Sequence, residues 1–208
     1  MTIEQLFYNC VHISYIHAGL DADYATRRCG STLYIYFQGS NGKTDWKNNL
    51  DFPAKAYKRM GKTAWFAHRG FLKVWKSIEG LISPHILDTG VKKIVISGYS
   101  HGAALALLCH EFAWYNRQDL RGNLLGFGFG SPRVLWGIPF KFITKRWEGF
   151  VVIRNIDDLV THVPPAILGY YHPRGVYKIG KKGKYSKIDA HRDYNISEEL
   201  KNVDFGNI

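Results

Sequence analysis

The apolar positions of this chain change their period from stretch to stretch, and each change marks an element. Over residues 3–18, Ile3, Leu6, Phe7, Cys10 and Val11 recur at helical spacing, which predicts an amphipathic first helix. S-T-L-Y-I-Y-F, residues 31–37, is β-branched and aromatic and runs out at Gly39, which predicts a strand. A polar stretch, N-G-K-T-D-W-K-N-N-L-D, follows. Residues 63–67 predict a second strand and residues 70–87 a helix. K-K-I-V-I-S at 92–97 reads as a short buried strand, and residues 100–115 as a mostly apolar helix. Residues 124–129 alternate with glycine, and F-V-V-I-R at 150–154 is again strand-like. Residues 176–179, with the lysine-rich turn after them, predict a terminal hairpin. Strands alternating with helices predict an α/β fold with a mostly parallel central sheet flanked by helices.

Composition narrows the picture. With 208 residues, 46% of them hydrophobic, the chain can bury one sizeable core, so a single domain over 1–208 is expected. The longest apolar run, residues 102–109, is too short to span a bilayer. The opening M-T-I-E-Q-L-F carries an acid, and the first basic residue is Arg27, which does not match a secretory leader. Cys10, Cys29 and Cys109 are an odd count at unrelated spacings, fitting neither a disulfide framework nor a zinc site. Reduced thiols in a cytoplasmic protein are the expectation. The net charge of +11 bears on partners. Its densest part, K-I-G-K-K-G-K-Y-S-K at 178–187, reads first as a solvated turn and second as an attraction to anionic lipid through Lys178, Lys181, Lys182 and Lys184. Nucleic acid is not expected, since no binding motif accompanies the charge. No metal or cofactor is implied, because the chain has neither H-E-x-x-H spacing nor a glycine-rich phosphate loop.

The candidate chemistry lies in G-Y-S-H-G, residues 98–102, between a predicted strand and a predicted helix. A sharp turn there would expose the Ser100 hydroxyl at the end of the sheet, and the helix N-terminus would point N–H groups at a developing oxyanion. A serine needs a base to take its proton, and the base needs an orienting acid. The acid candidates are Asp157 and Asp158, at the end of the strand closing at 154. Of the later histidines, His162 follows Asp158 too closely to reach the serine from another loop, and His172 reads as structural or pocket-lining. His191, 33 residues beyond Asp158, is placed as a returning base. The adjacent His101 is expected to contribute its backbone N–H, with its side chain toward the cleft mouth.

These blocks together resemble the class 3, or fungal-type, lipase family. F-Q-G-S-N-G-K-T-D-W-K-N-N-L (37–50), A-H-R-G-F (67–71), G-Y-S-H-G-A-A (98–104), G-F-G-S-P-R-V (128–134), N-I-D-D-L-V-T-H-V-P-P (155–165) and A-H-R-D-Y (190–194) stand in the family's order. The resemblance implies an α/β-hydrolase fold with Ser100 as nucleophile, Asp158 rather than Asp157 as acid and His191 as base. It also implies oxyanion donors from Ser40 and His101, with Asp45 as a brace. Gln38 stands where the family usually has arginine, and Ala103 where glycine is common. Residues 41–51 hold only Trp46 and Leu50 as large apolar side chains, so strong interfacial activation is not expected. An acyl pocket could come from L-W-G-I-P-F-K-F (135–142) and A-I-L-G-Y-Y (166–171), about half of which is expected to be core. The implied function is hydrolysis of carboxylic esters, by a lipase or esterase acting on acylglycerol or shorter lipid-like esters. The competing readings are a thioesterase or amidase on the same site, and a non-catalytic module binding lipid or an anionic surface.

Overall fold

The computed structural model describes residues 1–20, 22–39, 53–59, 62–183, 186, 189–192, 194 and 200. The first helix, α1 (Ile3–His12), starts at a capping box in which Thr2 and Gln5 each accept from the other's backbone N–H. It is shorter than its apolar spacing predicts. Residues Ile16–Ala18 form strand β1, paired antiparallel with β2 (Ala22–Cys29), so backbone pairing wins over helical periodicity there.

Seven strands make the main sheet. From β1 and β2 it continues through β3 (Thr32–Phe37), β6 (Lys93–Tyr99), β7 (Leu124–Phe129), β9 (Phe150–Asn155) and β11 (Gly175–Ile179). In this sheet β3, β6, β7, β9 and β11 are mutually parallel, and β2 runs antiparallel to both of its neighbours, β1 and β3. The expected terminal hairpin is therefore corrected: β11 pairs in parallel with β9, Val176 opposite Val152, and no strand returns from it among the described residues. The reason is burial. Three residues apart on a strand, Val176 and Ile179 face opposite sides and pack into different core layers, which a solvated hairpin could not supply.

A smaller antiparallel sheet joins β10 (Tyr170–Tyr171), β8 (Leu135–Trp136), β5 (Lys62–His68) and β4 (Ala54–Arg59) in that order. Two helices cover one face of the main sheet, α2 (Arg69–Leu87) and α3 (His101–Asn116), with Phe71, Trp75, Ile78, Leu105 and Leu108 in the larger core layer. Helix α1 covers the other face with Ile3, Leu6 and Phe7. Every residue of α3 from His101 to Ala113 is buried, which is why its sequence is apolar on all sides rather than striped. The parallel strands all deliver their C-terminal ends to one edge of the sheet, and the candidate chemistry collects there.

Candidate active site

Ser100 is the single residue between β6 and α3, at φ 54° and ψ −121°, and it is the only described non-glycine residue with positive φ. Such a conformation costs about 1–3 kcal/mol and persists only where its surroundings fix it. Its N–H donates to the Phe129 carbonyl at 2.9 Å, tying the turn to the neighbouring strand. The flanking glycines allow the close approach. A Cβ on Gly98 would lie 2.2 Å from the Gly102 carbonyl oxygen, and one on Gly102 would lie 2.3 Å from the Gln38 carbonyl oxygen. The start of α3 is thereby pressed against the end of β3, which brings Gly39 beside Ser100. Ser40 and Asp45, expected from the resemblance as oxyanion donor and brace, lie outside the described residues.

His191 stands on the short helix α4 (Asp189–Arg192). Its Nε2 is 2.9 Å from Ser100 Oγ and its Nδ1 is 2.9 Å from Asp158 Oδ2. Three residues spread over 91 positions of the chain thus form one continuous hydrogen-bonded line. Asp158 is fully buried, and its carboxylate is held by more than the imidazole. Oδ1 accepts from the Val160 N–H at 2.8 Å, and Oδ2 accepts from the Tyr194 hydroxyl at 2.8 Å. Tyr194 in turn accepts from the Asn155 N–H at 2.7 Å. Burial and the Asp158 charge push the Tyr194 phenol well above its ordinary range, so it stays a donor.

The competing aspartate is accounted for separately. Asp157 Oδ2 accepts from the Gly183 N–H at 2.7 Å, which pins the lysine-rich turn to the end of β9. Lys178, Lys181 and Lys182 are exposed around that turn, while Lys184 lies outside the described residues. The other histidines are also placed. His162 Nε2 accepts from Arg154, and His172 Nε2 donates to the Thr161 carbonyl at 2.8 Å. The His101 side chain departs from expectation: it is buried against the Phe71 ring, centroids 5.4 Å apart, rather than at a cleft mouth. The first turn of α3 is packed on all sides, and an imidazole there has nowhere to go but inward. Burial, with His68 nearby, lowers it to about 4, so the ring is neutral near pH 7.

Sequence reasoning assigned no role to Tyr194, Tyr99 or Gly130. The first had a signal: in A-H-R-D-Y it follows His191 by three residues, one helical turn, which sets both on one side of the chain. Gly130 follows β7 at φ +59°, and a Cβ there would lie 2.9 Å from His191 Cε1.

The two aromatic loops are much less buried than the expected half, because β10, which continues one of them, is the edge strand of the small sheet. Leu135 and Tyr170 are buried, whereas Ile138, Phe140, Phe142, Ile167 and Leu168 are exposed, Ile167 at 93% and Phe142 at 70%. Trp136 links the loops, its indole N–H donating to the Leu168 carbonyl at 2.9 Å and its ring meeting Phe66 at 5.6 Å.

Comparison with known proteins agrees with this architecture. A family model described as Lipase (class 3) matches residues 34–168. A lipase of Rhizomucor miehei is 29% identical over 153 residues, which cover 71% of this chain and 42% of that protein. Secreted mono- and diacylglycerol lipase 1 of Fusarium solani is 28% identical over 189 residues, covering 86% of this chain and 52% of that protein. The chain thus spans about half the length of these relatives. In three dimensions, the solved structure of Rhizomucor miehei triacylglyceride lipase matches with a TM-score of 0.74 at 23% identity, covering 90% of this chain and 82% of that one, a likeness of fold. The cytoplasmic expectation does not stand, because relatives such as the Fusarium solani protein are named as secreted. The cysteines misled here. All three are free, Cys10 and Cys109 are buried, and a buried thiol packs as a small apolar group in either compartment.

Proposed function

The chain belongs to the class 3 lipase family of the α/β-hydrolase superfamily, and on that premise we propose that it hydrolyses carboxylic esters of acylglycerol or shorter lipid-like type. One observation carries the reading: the line from Ser100 Oγ through both ring nitrogens of His191 to buried Asp158, with both contacts at 2.9 Å. Ser100 attacks the ester carbonyl while His191 Nε2 takes its proton, and Asp158 holds the imidazolium that forms. The tetrahedral oxyanion is received by the His101 N–H at the start of α3 and by Ser40, with Asp45 bracing that loop. His191 then protonates the departing alcohol. Water, deprotonated by the same imidazole, releases the acid from Ser100.

The exposed Ile138, Phe140, Phe142, Ile167 and Leu168 support an acyl chain or lipid surface as the apolar partner. The turn bearing Lys178, Lys181 and Lys182 is suited to contact anionic headgroups, each lysine contributing about 1 kcal/mol near such a surface. Lys184 is assigned to the same contact, and residues 1–208 to one domain.

Labelling with a fluorophosphonate probe tests the reading, together with assays of wild type, Ser100→Ala and His191→Ala on esters and thioesters of graded chain length. Labelling at Ser100 and loss of ester turnover in both variants is the expected result. No labelling, or unchanged turnover in the variants, overturns it. Binding to vesicles containing phosphatidylserine, weakened by salt and by reversing the three described lysines to glutamate, is expected for the lipid contact.

A further inference from the structure

Tyr99 directly precedes Ser100, and its side chain reaches past the serine to the base. Its hydroxyl donates to the backbone carbonyl of His191 at 2.7 Å. Its ring stacks on the His191 imidazole, with centroids 5.1 Å apart and planes 21° from parallel. Two further rings hold it from behind: Phe7 of α1 meets it edge-on at 5.5 Å, and Tyr194 lies at 6.1 Å. His191 itself sits on a single turn of helix, which has little stiffness of its own. The imidazole is thus fixed at its edges by Ser100 and Asp158, at its backbone by the Tyr99 hydroxyl, and on one face by the Tyr99 ring.

We propose that Tyr99 is a positioning residue for His191, whose ring face also shares the positive charge that the imidazole acquires when it takes the Ser100 proton; this rests on the triad reading above. An aromatic face stabilises a cation stacked on it and does little for the neutral ring, so the contribution is larger in the transition state than in the resting enzyme. The hydroxyl anchor persists across the working range. Burial first, and the Asp158 charge second, push the Tyr99 phenol up to about 12, so it does not ionise at any pH where the enzyme would be assayed. Phe7 makes α1 part of the support, connecting the start of the chain to a base 184 positions later.

The test compares Tyr99→Phe and Tyr99→Leu with wild type on p-nitrophenyl butyrate, a water-soluble ester, as kcat and KM across pH. Tyr99→Leu removes ring and anchor. It is expected to lower kcat by about 10-fold with KM little changed, and to move the acid limb of kcat/KM down by about half to one pH unit. The sign follows from the charge: without the ring the imidazolium is less stable, so the base gives up its proton at lower pH. Tyr99→Phe keeps the ring, and is expected to retain the wild-type limb while losing about threefold in kcat. Wild-type kcat and pH limb in Tyr99→Leu overturns the inference, as does a displaced limb in Tyr99→Phe, which also decides the matter should Tyr99→Leu fail to fold. Ser100→Ala and His191→Ala separate the two levels. If they are inactive while Tyr99→Leu behaves as wild type, only this inference falls; if they are active, the triad reading falls with it.

Discussion

At the scale of single residues, two adjacent side chains, Ser100 and His101, are sent in opposite directions by one turn. The positive φ of Ser100 throws its hydroxyl out to meet His191, whereas His101 begins α3 and its ring is driven into the core against Phe71. The two histidines near the serine should therefore respond differently to substitution. His101→Leu keeps the backbone N–H and fills similar apolar space, so it is expected to retain turnover within about fivefold. His191→Ala removes the proposed base and is expected to lose on the order of 10⁴-fold or more in kcat. Steady-state hydrolysis of one soluble ester by both variants checks this, and equal loss in the two would refute the division of roles. Gly130 offers a sharper geometric case. An added methyl at Gly130→Ala would sit 2.9 Å from His191 Cε1 and 3.0 Å from Asp158 Oδ2, at a φ that alanine resists. A loss of about 100-fold in kcat is expected, with the variant still folded by circular dichroism.

At the scale of elements, legibility followed how each element buries itself. β3, β6, β7 and β9 announce themselves because strands covered on both faces need runs of apolar side chains. β2, A-D-Y-A-T-R-R-C, is partly exposed near the edge and carries no continuous apolar run, and β8 and β10 are two residues each. Of the residues brought together by the fold, Ser100 and His191 could be named in advance because their types and order carry chemistry, and the family resemblance chose Asp158 over Asp157. The roles of Tyr99 and Gly130, and the hold of Asp157 on the Gly183 N–H, could not be named, since those contacts exist only once distant segments meet. Arg117 is another such residue. At the end of α3 it donates to the carbonyls of Ile86 at 2.8 Å, Asp88 at 2.9 Å and Val91 at 2.9 Å, groups that the end of α2 and the chain after it leave without helical partners. Asp119 holds the guanidinium in place through Nη2 at 2.9 Å. Arg117→Met is expected to strand the Ile86 and Val91 carbonyls, while Asp88 keeps the Val91 N–H at 3.1 Å, and to cost about 2–4 kcal/mol, read as a lower urea midpoint with an unchanged slope. Arg117→Lys should recover little, because an ammonium cannot reproduce the planar fork.

At the scale of the whole molecule, three histidines, two on α3 and one on a distant loop, share one electrostatic condition. His101 lies at the start of α3, His110 in its middle, and His172 beside Thr161, and burial is the first cause that lowers each to about 4. Their surroundings do not reverse it. His101 has His68 nearby; His172 faces Arg133, Arg154 and His162; and backbone groups of Arg146 and Leu124 only partly offset the desolvation of His110. In the unfolded chain each would take up a proton near the ordinary histidine value of about 6.5. Between about 6.5 and about 4 the unfolded state therefore binds more protons than the folded one, so stability falls as pH drops through that window and is fully present above it. Each group sets a ceiling of about 3 kcal/mol on that loss, and domains of this size have only about 5–15 kcal/mol in total. Urea unfolding at pH 7.5, 6.0 and 5.0 is expected to show a midpoint that declines steadily, with most of the decline below pH 6.5. His110→Met, which replaces a buried imidazole by an apolar side chain of similar volume, should make the curve shallower by about a third. A midpoint that stays level from pH 7.5 to 5.0 would mean that these rings are protonated in the folded protein, and that the packing around α3 admits charge.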